Sequence, residues 1–456
     1  MRTALASLLL TGLLAAPSHA QLVVGGPGVD PADFEVTVFA TGLNFPVGMA
    51  ELSDGSVLAT VVTGTSYFGS TTGDLVRLVD TDDDGVADVQ TTAFSALPDG
   101  TLTSVRIAGD LAFVAAAGGA IFVLRLGATP SDTLTLEGTL TFSYPISWIH
   151  PHSALAAREL PSGDLELVFQ IGSATNFAAT TAQATLTSDV GLSGSLDGDA
   201  LYRATFSDDG STVTGLSVIQ LASGLRNAAG IAFHATTGDL YFQDNGIDGL
   251  INGAEPLSAD ELNVIAAADL GGAIEDFGFP TSYVEYRTGT VVGGTGVAPL
   301  VAYQPIPDPM TGAEAEGPND ISFAPPGFPA VLRDGLFLGF HGQFPTAGVI
   351  NEENPVVFTD PVAGSYFHFV TNDLPGIGHL DGLLATSDAL YLADISPLGA
   401  FGAANANTGV IYRVRALPPA VDTVGPTART WLWIGLLVLG SVVTVRRARA
   451  GFAYLG

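Results

Sequence analysis

Cysteine is absent from all 456 residues, which removes disulfides, thiolate metal sites, iron–sulfur clusters and covalent haem attachment. Lysine is absent as well. All 15 basic residues are arginine against 46 acidic ones, giving a formal net charge of −31. A chain with so little clustered positive charge has no sequence-independent grip on phosphates, which argues against a nucleic-acid partner. Sustained helical periodicity is missing outside the two ends, and this disfavours a two-domain α/β protein. The acidic balance instead suits an exported soluble protein.

What the chain does have is apolar residues and turn formers. Hydrophobic residues make up 47%, enough for a packed core, and 56 glycines with 27 prolines point to many tight turns between short strands. Turn pairs recur as Asp54-Gly55, Gly109-Asp110, Gly163-Asp164, Gly238-Asp239, Asp334-Gly335 and Ser387-Asp388, each between two strand-like runs. Their spacing is roughly 50–95 residues, long for a compact repeat and consistent with loop insertions. About six such units fit between Ala32 and Arg415, so the spacing predicts an all-β fold, a six-bladed β-propeller over residues 32–416.

Both ends read as targeting segments. Residues 1–20 carry Arg2, an apolar run from Leu5 to Ala16 and a small-residue cleavage site at Ser18-His19-Ala20, the layout of a signal peptide. Residues 417–430 form a linker, residues 431–445 an apolar helix, and residues 446–456 a basic tail with Arg446, Arg447 and Arg449. The apolar run is about 15 residues against roughly 20 for a comfortable span, and the arginines would hold the tail inside. The layout resembles bacterial C-terminal sorting tails; a simple membrane anchor is the other reading. The chain is therefore expected at the periplasm or cell surface, or secreted.

In a propeller, loops at one end of the central channel converge on a shared pocket. That principle selects His150, Arg226-Asn227, the Asp244–Gly246 tip, Asn319-Asp320, His341, and His379 with Asp381. Separately, Asp80-Thr-Asp-Asp-Asp-Gly-Val-Ala-Asp88 places carboxylates at Asp80, Asp82, Asp84 and Asp88 around Gly85. Carboxylates so crowded repel one another unless a cation neutralises them, which suits a structural calcium loop between strands; a solvated acidic turn is the plainer alternative.

The order Gly224-Leu-Arg-Asn-Ala-Ala-Gly-Ile-Ala-Phe, Thr237-Gly-Asp-Leu-Tyr-Phe-Gln-Asp-Asn-Gly and Asp260-Glu-Leu-Asn-Val-Ile resembles the glucose/sorbosone dehydrogenase family, six-bladed propellers that hold pyrroloquinoline quinone and calcium. The resemblance implies a quinone-dependent sugar or aldose dehydrogenase. It makes His150 the base that takes the sugar hydroxyl proton, Arg226 and Asn227 holders of the quinone, and the carbonyls of Gly246 and Ile247 calcium ligands. Departures accompany it. Ala228 and Ala229 stand where the family keeps proline and glutamine; His341 replaces a cofactor-contacting lysine, and His379-Leu-Asp381 lies where members carry arginines. A substrate-touching glutamine of the second blade is replaced around Leu102-Thr-Ser104. Two further readings stay open: a non-catalytic, calcium-stabilised surface propeller binding glycan or protein, and a lactonase-like hydrolase with Asn319 and Asp320 among its ligands.

Overall fold

The computed structural model describes residues 22–248, 253–306, 308–310, 317–342, 355–370 and 376–418. Six sheets of four or more strands, antiparallel apart from a short parallel pairing of Ala222-Ser223 with Glu275-Asp276, follow one another along the chain and form the blades of a β-propeller. Blade 1 comprises Met49–Glu51, Val57–Val62, Thr72–Val79 and Val89–Pro98. Blade 2 has Leu102–Ala108, Leu111–Ala116, Ala120–Arg125 and Thr135–Ser143; blade 3 has Leu155–Glu159, Leu165–Ile171, Ala200–Asp208 and Val213–Ser223. Blade 4 has Gly230–Phe233, Leu240–Asp244, Asp260–Ile265 and Val301–Tyr303; blade 5 has Pro318–Phe323, Leu336–Phe340, Val356–Asp360 and Ser365–Val370. Blade 6 takes Leu380–Ala385, Ala389–Asp394 and Gly409–Ala416 from the end of the chain and its outermost strand, Phe34–Leu43, from the start. Phe34 pairs with Ala416 in this closing ladder.

The six turn pairs expected from sequence are the turns between the first and second strand of the six blades, one apiece. Gly55, Gly109, Gly163, Gly238 and Asp334 all adopt positive φ there, which is why glycine or aspartate recurs at the bend. Between neighbouring blades lie six apolar clusters. Phe113 of blade 2 meets Phe206 of blade 3, for example, at 5.5 Å between ring centroids. Middle strands such as Leu111–Ala116 are buried on both faces by this arrangement, so their sequence is continuously apolar and not alternating.

One element has no counterpart in the turn cadence. The hairpin Gln183–Ser188 and Ser193–Asp197 is inserted between the second and third strands of blade 3, yet pairs with Thr135–Ser143 and widens blade 2 to six strands. The propeller unit ends at Ala416, and residues 417–456 form a separate unit. The segments expected to be a signal peptide at 1–20, an apolar helix at 431–445 and a basic tail, with most of the expected linker, lie outside the described residues. Among the described residues no helix is long and apolar enough to cross a membrane.

Candidate functional site

Each blade sends its innermost strand down the axis, and the ion pair Arg106–Asp320 crosses that axis between blades 2 and 5, which face each other across the ring (2.7 Å). Asp320 is pinned in turn by the backbone amides of Ile321 and Leu383. On one side of the pair lies an apolar bowl of about 420 Å³ with Met49, Phe233 and Phe323 in its wall. On the other lies a cavity of about 370 Å³ to which all blades contribute. Tyr67 and Phe68 come from blade 1, Thr101 and Thr103 from blade 2, Trp148, His150 and Ser153 from blade 3, Asn227 from blade 4, Asn319 and His341 from blade 5, and Asp381 from blade 6. The expectation of one pocket fed by several blades thus brings His150, Asn227, Asn319, His341 and Asp381 together.

His150 lines the cavity with a defined tautomer. Its Nδ1 lies 2.8 Å from Ser173 Oγ, and Ser173 spends its single hydroxyl proton on Thr175 O at 2.6 Å. Ser173 must therefore accept from His150 Nδ1–H, which makes Nε2 the ring's lone-pair nitrogen. Burial and the nearby Arg226 guanidinium hold the imidazole well below its ordinary pKa, so it is neutral and able to accept a proton. His152, two residues on, is a core residue. It is 0% exposed, with Nε2 on Ala120 O at 2.9 Å and Nδ1 on Tyr144 Oη at 2.9 Å.

Arg226 and Asn227 enter blade 4 through a loop fastened by Asp244, whose carboxylate accepts both of their backbone amides (3.0 and 2.6 Å). Blade 6 repeats the device, with Asp394 accepting from Gly378 and His379 (2.8 and 3.1 Å). The two side chains then part. Asn227 faces the cavity and accepts from Gln170 Nε2 at 2.7 Å. The Arg226 guanidinium is 5% exposed and turns to Asp248 Oδ2 at 2.7 Å, Asn176 Oδ1 at 2.6 Å and Asn176 O at 3.1 Å. It sits against a narrow recess next to Gly246 and Ile247, not in the cavity wall.

At that recess the carboxylates are occupied with backbone. Asp260 accepts from Gly246 N (2.7 Å) and Gly317 N (2.9 Å), and Ile247 O accepts from Ser258 N at 3.0 Å. Asp260 therefore organises loops through ordinary hydrogen bonds. Burial pushes Asp244 up to about 6, Asp260 to about 7 and Glu261 to about 8; repulsion from Asp199 adds to the first, from Asp244 to the second, and from Asp244 and Asp260 to the third.

His341 and Asp381 form a dyad at the cavity's other edge, Nδ1 to Oδ1 at 2.8 Å. Burial opposes charge on His341, but the carboxylate and its hydrogen bond outweigh that and raise the imidazole pKa. Asp381 is 1% exposed, and its Oδ2 has no hydrogen-bond partner among the described residues. His379 does not reach the cavity. It is fully buried beneath His341, stacked on it at 4.8 Å and on Phe401 at 4.9 Å, with its ring nitrogens on His341 O and Gly399 O.

The acidic hairpin of blade 1 lies apart from this site. Carboxylate oxygens of Asp80, Asp82 and Asp88 fall within 4.8 Å of one another, a spread that a calcium ion with oxygens at about 2.3–2.6 Å can bridge. Asp80 Oδ1 is buried without a partner among the described residues. Asp84 is not in the group; it accepts from Val86 N at 2.9 Å. Arginines compensate part of the charge, Arg413 reaching Asp80 and Asp83, and Arg415 reaching Asp83.

No protein-family model matches the chain. One curated protein aligns, an uncharacterized protein of Borreliella burgdorferi, 43% identical over 60 residues; this chain spans only 14% of its length. The fold, by contrast, is shared with solved propellers over most of the chain. The holo form of the pyranose dehydrogenase PQQ domain from Coprinopsis cinerea superposes with a TM-score of 0.57, 15% identity, and coverage of 88% of this chain and 99% of that one. A calcium structure of a Trichoderma reesei carbohydrate-active enzyme of family AA12 gives 0.54, 16% identity, and 89% and 100% coverage. The apo soluble aldose sugar dehydrogenase from Escherichia coli gives 0.52, 15% identity, and 84% and 100% coverage.

Proposed function

We propose that this propeller, which has the architecture of quinone-dependent sugar dehydrogenases, is an exported carbohydrate-directed protein that seats a sugar in the cavity between Trp148 and Asp381. The observation that carries the reading is His150, a neutral imidazole whose Nδ1 is committed to Ser173 and whose Nε2 is an acceptor on a residue lining the cavity. A sugar hydroxyl set against it would have its proton drawn toward nitrogen. Around it stand uncharged hydrogen-bonding groups, Thr101, Thr103, Ser153, Asn227 and Asn319, and the aromatic faces of Tyr67 and Trp148. A polyol with one apolar C–H face matches that mixture.

Oxidation of that hydroxyl through pyrroloquinoline quinone and calcium is the activity the resemblance suggests. The shared scaffold and the neighbouring Arg226 and Asn227 speak for it. The donor set speaks against it, because a tricarboxylic quinone needs fixed cations and the described cavity lining has none beyond a histidine already paired with Asp381. The residues present do not fit the group. The binding-only propeller is favoured by the same observation. Calcium, in this reading, belongs to Asp80, Asp82 and Asp88 as a structural ion, supported by their spacing and by the unpartnered Asp80 Oδ1.

The experiment is a titration of the purified chain with D-glucose, cellobiose and myo-inositol by calorimetry, repeated with His150→Ala. Binding by the wild type that weakens about tenfold in the variant is expected. Absence of binding to all three, or equal binding by both proteins, would remove the reading. Dye reduction with added quinone, calcium and aldoses tests the oxidative version.

A further inference from the structure

We infer that the central cavity has exchanged anion recognition for hydroxyl recognition: it turns away a polycarboxylate quinone and takes an uncharged polyol, one hydroxyl of which is donated to Asp381 Oδ2. The inference rests on the carbohydrate reading above and names the residue that makes the choice.

Asp381 carries the argument. Its carboxylate is 1% exposed, its Oδ1 is held by His341 Nδ1 at 2.8 Å, and its Oδ2 is buried, unpartnered among the described residues, on a side chain that lines the cavity. A buried carboxylate oxygen without a donor is costly, and a neutral O–H arriving from the cavity relieves that cost. A ligand carboxylate placed there meets the opposite situation, two anionic oxygens with no cation between them.

Nothing else near the cavity restores an anion site. The chain has no lysine, and the segments outside the described residues that lie within the propeller sequence, 249–252, 311–316, 343–354 and 371–375, contain no arginine either. The arginines beside the cavity are committed elsewhere: the Arg226 guanidinium is held by Asn176 and Asp248, and Arg106 is paired with Asp320. Recognition by a buried acceptor is also selective, because an analogue lacking the matching hydroxyl leaves that acceptor unpaired.

The test is equilibrium dialysis of the full-length protein with pyrroloquinoline quinone and excess calcium, read by the quinone's absorbance, beside calorimetry with the three neutral probes. The expected result is no retained quinone, measurable polyol binding, and at least a tenfold loss of polyol affinity in Asp381→Asn with an unchanged circular-dichroism spectrum. Stoichiometric quinone uptake by the wild type overturns the inference while leaving the carbohydrate reading standing. Unchanged polyol affinity in Asp381→Asn overturns the role given to Asp381. Failure to bind any polyol overturns the carbohydrate reading itself. Should Asp381→Asn not fold, His341→Gln, which leaves the carboxylate in place but replaces its imidazole partner, must lower polyol affinity by less than His150→Ala does; a larger loss counts against Asp381 as the acceptor.

Discussion

At the scale of single residues, identity and role separate most clearly at Arg226. Its place in an Arg-Asn pair suggested a cofactor cation, and the pair was legible as a motif. Its partners, Asn176 and Asp248, lie far away in sequence on other loops, so no local pattern could reveal that the charge is already consumed. Arg226→Ala should cost about 2–3 kcal/mol, because Asp248 loses its buried partner, and a calorimetric melt measures it. A variant as stable as the wild type would mean the guanidinium is free after all. His150 is the converse case: the family resemblance marked it as a base, whereas the Ser173 and Thr175 contacts that set its tautomer come from a loop with no signature. Held well below its ordinary pKa, it stays neutral from about pH 8 down through the ordinary imidazole range near 6.5. In His341→Gln, which removes the raised imidazole beside Asp381, polyol binding should therefore be flat over that range; a curve that fell away below pH 7 in this variant would show that His150 becomes charged there.

Elements were easier to read than their connections. At five of the six first bends a glycine or aspartate takes a positive φ, and such local constraints leave a trace in sequence. The hairpin at residues 183–197 left none, because its pairing with blade 2, Thr185 opposite Ser143 through Ser188 opposite Leu140, depends on a partner strand well back in the chain rather than on its own composition. The acidic hairpin Asp80–Asp88 shows both behaviours. Its carboxylates were evident, but the bracing by Arg413 and Arg415 from the other end of the chain was not. Calcium should raise the melting temperature by several degrees and a chelator should reverse it, with the shift abolished in Asp80→Asn combined with Asp82→Asn. A melt indifferent to calcium would make the hairpin a solvated turn stapled by arginine.

For the molecule as a whole, charge sets the dependence on pH. Asp260, Glu261 and Asp394 are raised to about 7, 8 and 8 by burial. A carboxyl raised in the folded state contributes stability that is complete below the ordinary carboxyl range near 4 and lost as pH rises through its folded value. The propeller should therefore melt at progressively lower temperature from pH 5.5 to 8.5. The excess of acidic residues adds long-range repulsion in the same direction, but salt screens that part and not the buried one. A decline that vanishes entirely in 0.5 M sodium chloride would assign the effect to surface charge.

The closing ladder of blade 6 has a mechanical corollary. Phe34 opposite Ala416 puts both ends of the propeller on the same edge of one antiparallel pair, so tension applied between the ends would peel its hydrogen bonds one at a time, like a zip, instead of shearing them together. Held by one end, the ring feels no such load; gripped at both, it opens at the seam where it was closed.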